Sequence, residues 1–288
     1  MIQVTSLPLR PRPDILRFVK CLLALALLWL LPTNSFAQES GRNPLLDSDW
    51  LFRAGWQRID ADANIGLANP DFGTIPIIDF DTLGVDPTFN SIWLEGIWQS
   101  PERWSVGLNY FQSKAEGALT TSKEIEFGDL LIPAGTGVAT NFETKFYILN
   151  AYYDFFKNPR TDAGIGFGIY GLDLEGSIEV LIDDDRSGTA ESADVLAPLP
   201  TASLYYTHAF NSHWAISADV DWFGLSVDKY DGRMLAGAVN LDYWFNEHWG
   251  LGLGYSYVDL DLTVDEPRYD ELYRVDYDSY FLYLSFGF

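Results

Sequence analysis

The stretch from Tyr277 to Phe288 alternates with period two. Tyr280, Leu282, Leu284, Phe286 and Phe288 share one face, apolar and aromatic throughout. Ser279, Phe281, Tyr283, Ser285 and Gly287 share the other, which mixes small, polar and aromatic groups. Successive side chains of a strand point to opposite faces. This is therefore the pattern of a strand whose apolar face is complete up to Phe288. A transmembrane barrel presents such a face to lipid; an ordinary soluble edge strand is the competing reading.

The other end of the 288-residue chain favours the barrel. Arg10, Arg12, Arg17 and Lys20 precede an apolar run from Cys21 to Leu31, and a polar stretch ending Ser35-Phe36-Ala37 follows. A basic region, an apolar core and a small-residue end make a secretory signal peptide. Residues 1–37 are expected to be cleaved, 38–48 to form a short lead-in and 49–288 the folded domain. The apolar run falls short of the roughly 18–20 residues that span a bilayer, and no later stretch reaches that length. Only helices and closed barrels satisfy every backbone hydrogen bond in lipid, so a membrane protein built from this chain is a barrel. Cys21, the one cysteine, leaves with the signal, which excludes a disulfide framework or a Cys-rich metal site. The mature chain keeps 14 basic and 40 acidic residues, a charge that repels nucleic-acid phosphates.

Four short polar turns punctuate the mature chain: Gln99-Ser100-Pro101-Glu102, Lys157-Asn158-Pro159-Arg160, Asn211-Ser212-His213 and Asn246-Glu247-His248. Trp98, Trp104, Trp214, Trp244 and Trp249 lie beside them, as an aromatic girdle at one membrane face would when laid along a sequence. The connections between turns are longer and more acidic, near 60–88, 116–140, 175–197, 226–232 and 263–272. The fold class is all-β: a closed antiparallel up-and-down barrel with short periplasmic turns and long extracellular loops. Ten strands are expected, near 49–59, 89–98, 103–114, 141–156, 162–174, 198–210, 213–225, 233–245, 248–262 and 273–288. Eight would follow if the first hairpin, over the poorly patterned 60–88, is misread. In the ninth strand the alternation changes phase after Tyr257, where Asp259 and Asp261 would meet lipid; a bulge or emergence from the membrane accounts for that.

The inward positions read as Arg53, Glu95, Arg103, Asn150, Asp154, Asp219, Asp221, Asn240 and Asp242. They make either a cation-favouring conduction path or an ion-pair network, centred on Arg53 and Arg103, that plugs the bore. Barrels of about eight strands are just wide enough to be filled by side chains. Inward Tyr152, Tyr205, Tyr283, Phe111, Phe146 and Phe281 add bulk. Rows of glycine at 164, 166, 168 and at 250, 252, 254 leave room for large groups from opposite walls. The runs Asp183-Asp184-Asp185 and Asp259-Leu260-Asp261 concentrate hard oxygen ligands that could hold divalent cations weakly, but a solvated acidic surface is the favoured reading, since no loop has the spacing of a defined calcium site. No cofactor site is expected.

The terminal strand resembles the C-terminal assembly signal of bacterial outer-membrane proteins, carried here by Tyr280, Leu282, Leu284, Phe286 and Phe288. That resemblance implies recognition by the barrel-assembly machinery and an outer-membrane location among lipid and lipopolysaccharide. With the signal peptide and the turn–loop asymmetry, the mature chain is similar to small bacterial outer-membrane barrels of no defined functional subfamily. Some such barrels are enzymes. Proteases of the ten-strand omptin family place His and Asp groups at the extracellular rim, whereas His208, His213 and His248 all fall at or beside the periplasmic turns. A general base is then missing where that chemistry happens. The expectation is a non-enzymatic barrel acting through its loops and surfaces, with a narrow channel for small cationic or apolar solutes as the alternative.

Overall fold

The structure, a computed structural model, describes residues 42–69, 73–79, 86–120, 125–127, 130–132, 134–181, 191–227, 230–265 and 270–288. The expected signal peptide and Asp183-Asp184-Asp185 lie outside the described residues. A four-residue helix, α1 (Pro44–Asp47), opens the described chain. The strands are β1 (Trp50–Asn69), β2 (Gly73–Asp79), β3 (Thr88–Gln99), β4 (Trp104–Thr120), β5 (Ile125–Phe127), β6 (Leu130–Ile132) and β7 (Gly137–Lys157). They continue as β8 (Thr161–Leu181), β9 (Glu191–Ala209), β10 (Trp214–Val227), β11 (Tyr230–Trp244), β12 (Trp249–Asp265) and β13 (Asp270–Gly287).

Neighbours pair in the order β13-β12-β11-β10-β9-β8-β7-β4-β3-β1, and β1 pairs β13 to close the ring. Every pairing is antiparallel, and the wall has ten positions. Strand β2 extends the β3 position along the upper half of β1, and β5–β6 form a separate small hairpin. At the seam Trp50 and Phe288 exchange two backbone hydrogen bonds of 3.0 Å. The first hairpin is present, with β1 and β3 in register from Trp50↔Trp98 to Asp60↔Thr88, so the count is ten and not eight.

One device starts each strand at the periplasmic end. Asn158 Oδ1 accepts from the backbone N–H groups of Arg160 and Thr161, both at 2.8 Å. Asn211 does the same for His213 and Trp214, and Asn246 for His248 and Trp249, at 2.8–2.9 Å. Ser100 Oγ accepts from Glu102 N at 3.1 Å. Short polar side chains that bond the backbone two or three residues on stabilise such tight reversals. The other ends differ from expectation. Strands run through much of the segments read as loops, β1 to Asn69, β4 to Thr120 and β8 to Leu181. Beyond the bilayer a strand needs no apolar face, so the sequence alternation fades while the backbone ladder continues.

The outer wall is apolar. Ile92, Leu108, Phe167, Leu204, Trp222, Leu253 and Leu284 are all exposed, and a closed sheet with this exterior is a transmembrane barrel. Tyr280, Leu282 and Phe288 face out as expected, and Phe286 packs between Trp249 and Phe288, with centroids at 4.8 and 5.8 Å. Of the five turn-side tryptophans, Trp98, Trp104, Trp214 and Trp249 form a girdle with Trp50. Trp244 does not. It points inward and is 1% exposed, because the even-numbered positions of β11 line the lumen. The register of β12 runs unbroken from Trp249 to Asp265 against β13, so no bulge follows Tyr257. Asp261 instead emerges above the membrane.

Candidate functional site

The candidate site is the lumen, whose side chains form three layers. At the periplasmic mouth the lead-in turns into the bore. Asn43 Oδ1 caps Leu45 N at 3.0 Å while its amide donates to the carbonyl of Asn211 at 3.0 Å. Gln99 donates to the carbonyl of Leu45 at 3.1 Å. These bonds seat Leu45 of α1 against Leu51, Ala209, Ala215 and Trp244, an apolar stopper that sequence patterning missed because it occupies fewer than two turns. Farther up, Trp93, Phe111, Phe146, Phe281, Tyr277 and Tyr283 pack together, with Phe111 stacked on Phe146 at 4.3 Å and Trp93 5.3 Å from Tyr283.

Between these layers lies a belt of charge. Arg53, directly opposite Glu95 in the register, donates to it at 2.8 Å. Its other terminal nitrogen lies 3.4 Å from Asp242, and its guanidinium lies 5.2 Å above the Tyr283 ring. Lys157 pairs with Asp154 at 3.1 Å. Tyr205 also donates to Asp154, and Tyr170 and Ser203 donate to Asp221. Arg53, Glu95, Asp154, Asp219, Asp221 and Asp242 all face the lumen. Arg103 does not. It sits exposed in the first turn at φ 139°, a backbone region that favours glycine, and donates to the carbonyls of Asp154 and Phe155 at 3.2 and 3.4 Å. Those carbonyls belong to the bulge of β7, where the register shifts between Asp154 and Phe156.

The glycine rows have a definite use, and it differs from the one expected. The large groups over them come from neighbouring strands rather than opposite walls. In register, Asp242, Gly252 and Tyr283 stand side by side on β11, β12 and β13. A Cβ at Gly252 would run into the Tyr283 ring; without it the ring lies across β12 and its hydroxyl reaches Asp242 at 3.1 Å. Asp154, Gly164 and Tyr205 repeat the arrangement on β7, β8 and β9. Asn240–Gly254–Phe281 and Asn150–Gly168–Thr201 have the same order with a third residue that cannot bridge.

Among the described residues, cavities of about 130 and 110 Å³ lie along the bore, one reaching down to Leu45 and Leu51, the other up to Trp93, Phe111 and Tyr277. Glu95, Asn109, Asn150, Tyr152, Asp219 and Asn240 line both. Among the described residues no three His, Cys, Asp or Glu side chains group to hold a metal ion. The histidines stay at the periplasmic end: His208 bonds Thr161 at 2.8 Å, His248 bonds the carbonyl of Gly287 at 2.9 Å and His213 stacks on Tyr243. On the extracellular side Asp261 is taken by Arg274 at 2.6 Å and by Arg233.

These features match a known architecture. The fold is that of a bacterial outer-membrane β-barrel. Among solved structures, the outer membrane protease OmpT from Escherichia coli superposes with a TM-score of 0.51 at 9% identity, over 89% of this chain and 99% of that one. OprG, an outer membrane protein from Pseudomonas aeruginosa, gives 0.35 at 14% identity, over 88% and 99%. Ail, the attachment invasion locus protein of Yersinia pestis, gives 0.33 at 10% identity, over 84% and 99%. No protein-family model matches the sequence, and neither does any curated protein.

Proposed function

We propose that this chain is a non-enzymatic barrel of the bacterial outer membrane, closed by its own side chains, acting through the surfaces it turns to lipid, lipopolysaccharide and the exterior. The filled lumen carries this reading. An aromatic layer, a hydrogen-bonded charge belt and the α1 stopper succeed one another along the bore. Residues 1–37 are its signal peptide, and the strand ending Tyr280, Leu282, Leu284, Phe286 and Phe288 addresses it to the assembly machinery. The placement of the three histidines at the periplasmic rim supports a role without acid–base catalysis at the surface. The test is current through refolded residues 38–288 in a planar bilayer, with heat-modifiable gel migration confirming the barrel. Silence is expected.

A second reading is a narrow pathway for small cations. The acid surplus of the belt and the two cavities that share Asn150 and Asp219 favour it. Under it the same recording gives discrete cation-selective steps, and Asp219→Asn with Asp221→Asn changes the selectivity.

A further inference from the structure

Strands β9 and β10 part company partway up the wall. Their rungs run from Ala209↔Ala215 to Ala202↔Trp222 and stop there. Both strands go on. β9 stays paired with β8 as far as Glu191↔Ile178, and β10 with β11 as far as Val227↔Tyr230. Above Trp222 the two strands therefore face each other as open edges.

The sequence parts them at that point. Phe210 N donates to Trp214 O on the β10 side at 2.9 Å, and Ala209 N donates to Arg160 O on the β8 side at 2.8 Å. Alternate residues of an antiparallel strand bond opposite neighbours, so the even-numbered residues of β9 turn their N–H groups toward β10. The next even positions past Ala202 are Pro200 and Pro198, in register with Ile169 and Gly171 on β8. Proline has no N–H to donate, and strands carry it where an edge is left open. The ladder to β8 passes through both prolines without a register shift, because the missing donors are the ones β10 would use.

This opening has lipid on one side and the lumen on the other. Ile169, Pro200 and Trp222 are exposed on the outer wall, and Ile169 continues the lipid-facing row of Ile165 and Phe167. Open sheet edges are tolerated at membrane depth only where they line a cavity. The Trp222 ring lies over Gly224 outside, while Leu199, Phe223 and Tyr170 are buried behind the seam. Just below its mouth Asp221 shares a rung with Ser203, and Tyr170 reaches over from β8; both hydroxyls donate to the Asp221 carboxylate. That clasp ties three strands together where backbone pairing ends. Tyr170 and Asp221 also line the upper cavity, of about 110 Å³.

We infer that the β9–β10 seam is a side port between this cavity and the outer leaflet, held shut by the Asp221 clasp, and that it admits small, uncharged, lipid-soluble molecules. A charged solute is excluded by the hydrocarbon at the mouth. The port goes beyond the closed bore: ions are stopped along the axis while the wall opens sideways to lipid.

The mature chain, residues 38–288, holds no cysteine. Ala236→Cys, on the wall of the upper cavity and 3% exposed, places one thiol behind the port. The barrel is refolded into phosphatidylcholine vesicles and offered N-phenylmaleimide, which is apolar, or sulfonatoethyl methanethiosulfonate, which is charged. Only the first should react. Tyr170→Phe loosens the clasp and should quicken the reaction about tenfold, the worth of one hydrogen bond to a carboxylate. A disulfide between Pro200→Cys and Gly224→Cys, formed before labelling, should slow it by a similar factor. No reaction with either reagent would overturn the port. So would equal rates for the two reagents, a rate unmoved by Tyr170→Phe, or one that survives the disulfide. Should Tyr170→Phe fail to fold, Ser203→Ala removes the other donor of the clasp and takes its place. Planar-bilayer current reads the axial bore separately, so a barrel that is silent to ions and labelled from lipid has both a closed bore and a side port.

Discussion

The hydroxyl of Tyr283 bonds the carboxylate of Asp242 at 3.1 Å although a whole strand separates them. Gly252, on that strand, is what lets the ring lie flat between the two. The arrangement turns two glycine-rich strands, normally weak, into the floor of a polar network.

Gly252→Ala should therefore destabilise through packing. The added methyl collides with the Tyr283 ring, lifting its hydroxyl from Asp242. Overpacking of this kind costs about 1–3 kcal/mol. Urea unfolding of the refolded barrel measures it. Tyr283→Phe paired with Gly252→Ala separates the lost hydrogen bond from the collision.

Arg53→Met should cost more. It leaves Glu95 and Asp242, both inside the wall, without the cation that holds them. Breaking one side of a buried pair typically costs about 3–5 kcal/mol. Adding Glu95→Gln and Asp242→Asn to Arg53→Met should recover most of the loss, since the uncompensated charges then go. A triple variant no better than the single one would assign Arg53 a packing role instead.

Leu45→Asp should unseat α1. Leu45 is buried against Leu51 and Trp244, and an aspartate there places a charge in an apolar stopper. The expected signs are protease cleavage near residues 42–48 and a red shift of the Trp244 emission, with the barrel itself still heat-modifiable. Unchanged emission would show that the mouth is shut by the wall alone.

On the extracellular side, Asp261 gives a pH prediction. Burial pushes its carboxyl up, but the guanidinium groups of Arg274 and Arg233 outweigh that and hold it below the ordinary value. A pKa lowered by folding means stabilisation that is complete above the unfolded value, about 4 for an aspartate, and lost as pH falls through the folded one. Amide exchange at the upper ends of β11 and β12 should therefore quicken only below about pH 4, and Asp261→Asn should remove that acid dependence.

Strand number and facing were legible in the sequence because lipid enforces them. Wherever a strand crosses the bilayer, one face must be apolar. Positions such as Trp214, Val220 and Trp222 in β10, or Leu251 and Leu253 in β12, state the register by themselves. The turns were legible because a short polar side chain closes each one. Outside the bilayer this constraint ends, which is why the upper parts of β1, β4 and β8 read as loop.

Tertiary structure alone decided what the lumen does with its groups. Sequence put Arg53 and Arg103 in one list; the turn backbone and the bulge at Asp154 hold Arg103 at the rim and leave Arg53 at the centre of the belt. Position beside the turns grouped five tryptophans in one girdle; β11 turns Trp244 inward, where α1 covers it. The partnership of Asp242 with Tyr283, and its failure at Asn150 and Thr201, depends on which residues share a rung across three strands. Period-two patterning tells each strand which face is wet, but the register between strands is set only when the ring closes, and the chemistry of the lumen follows from that register.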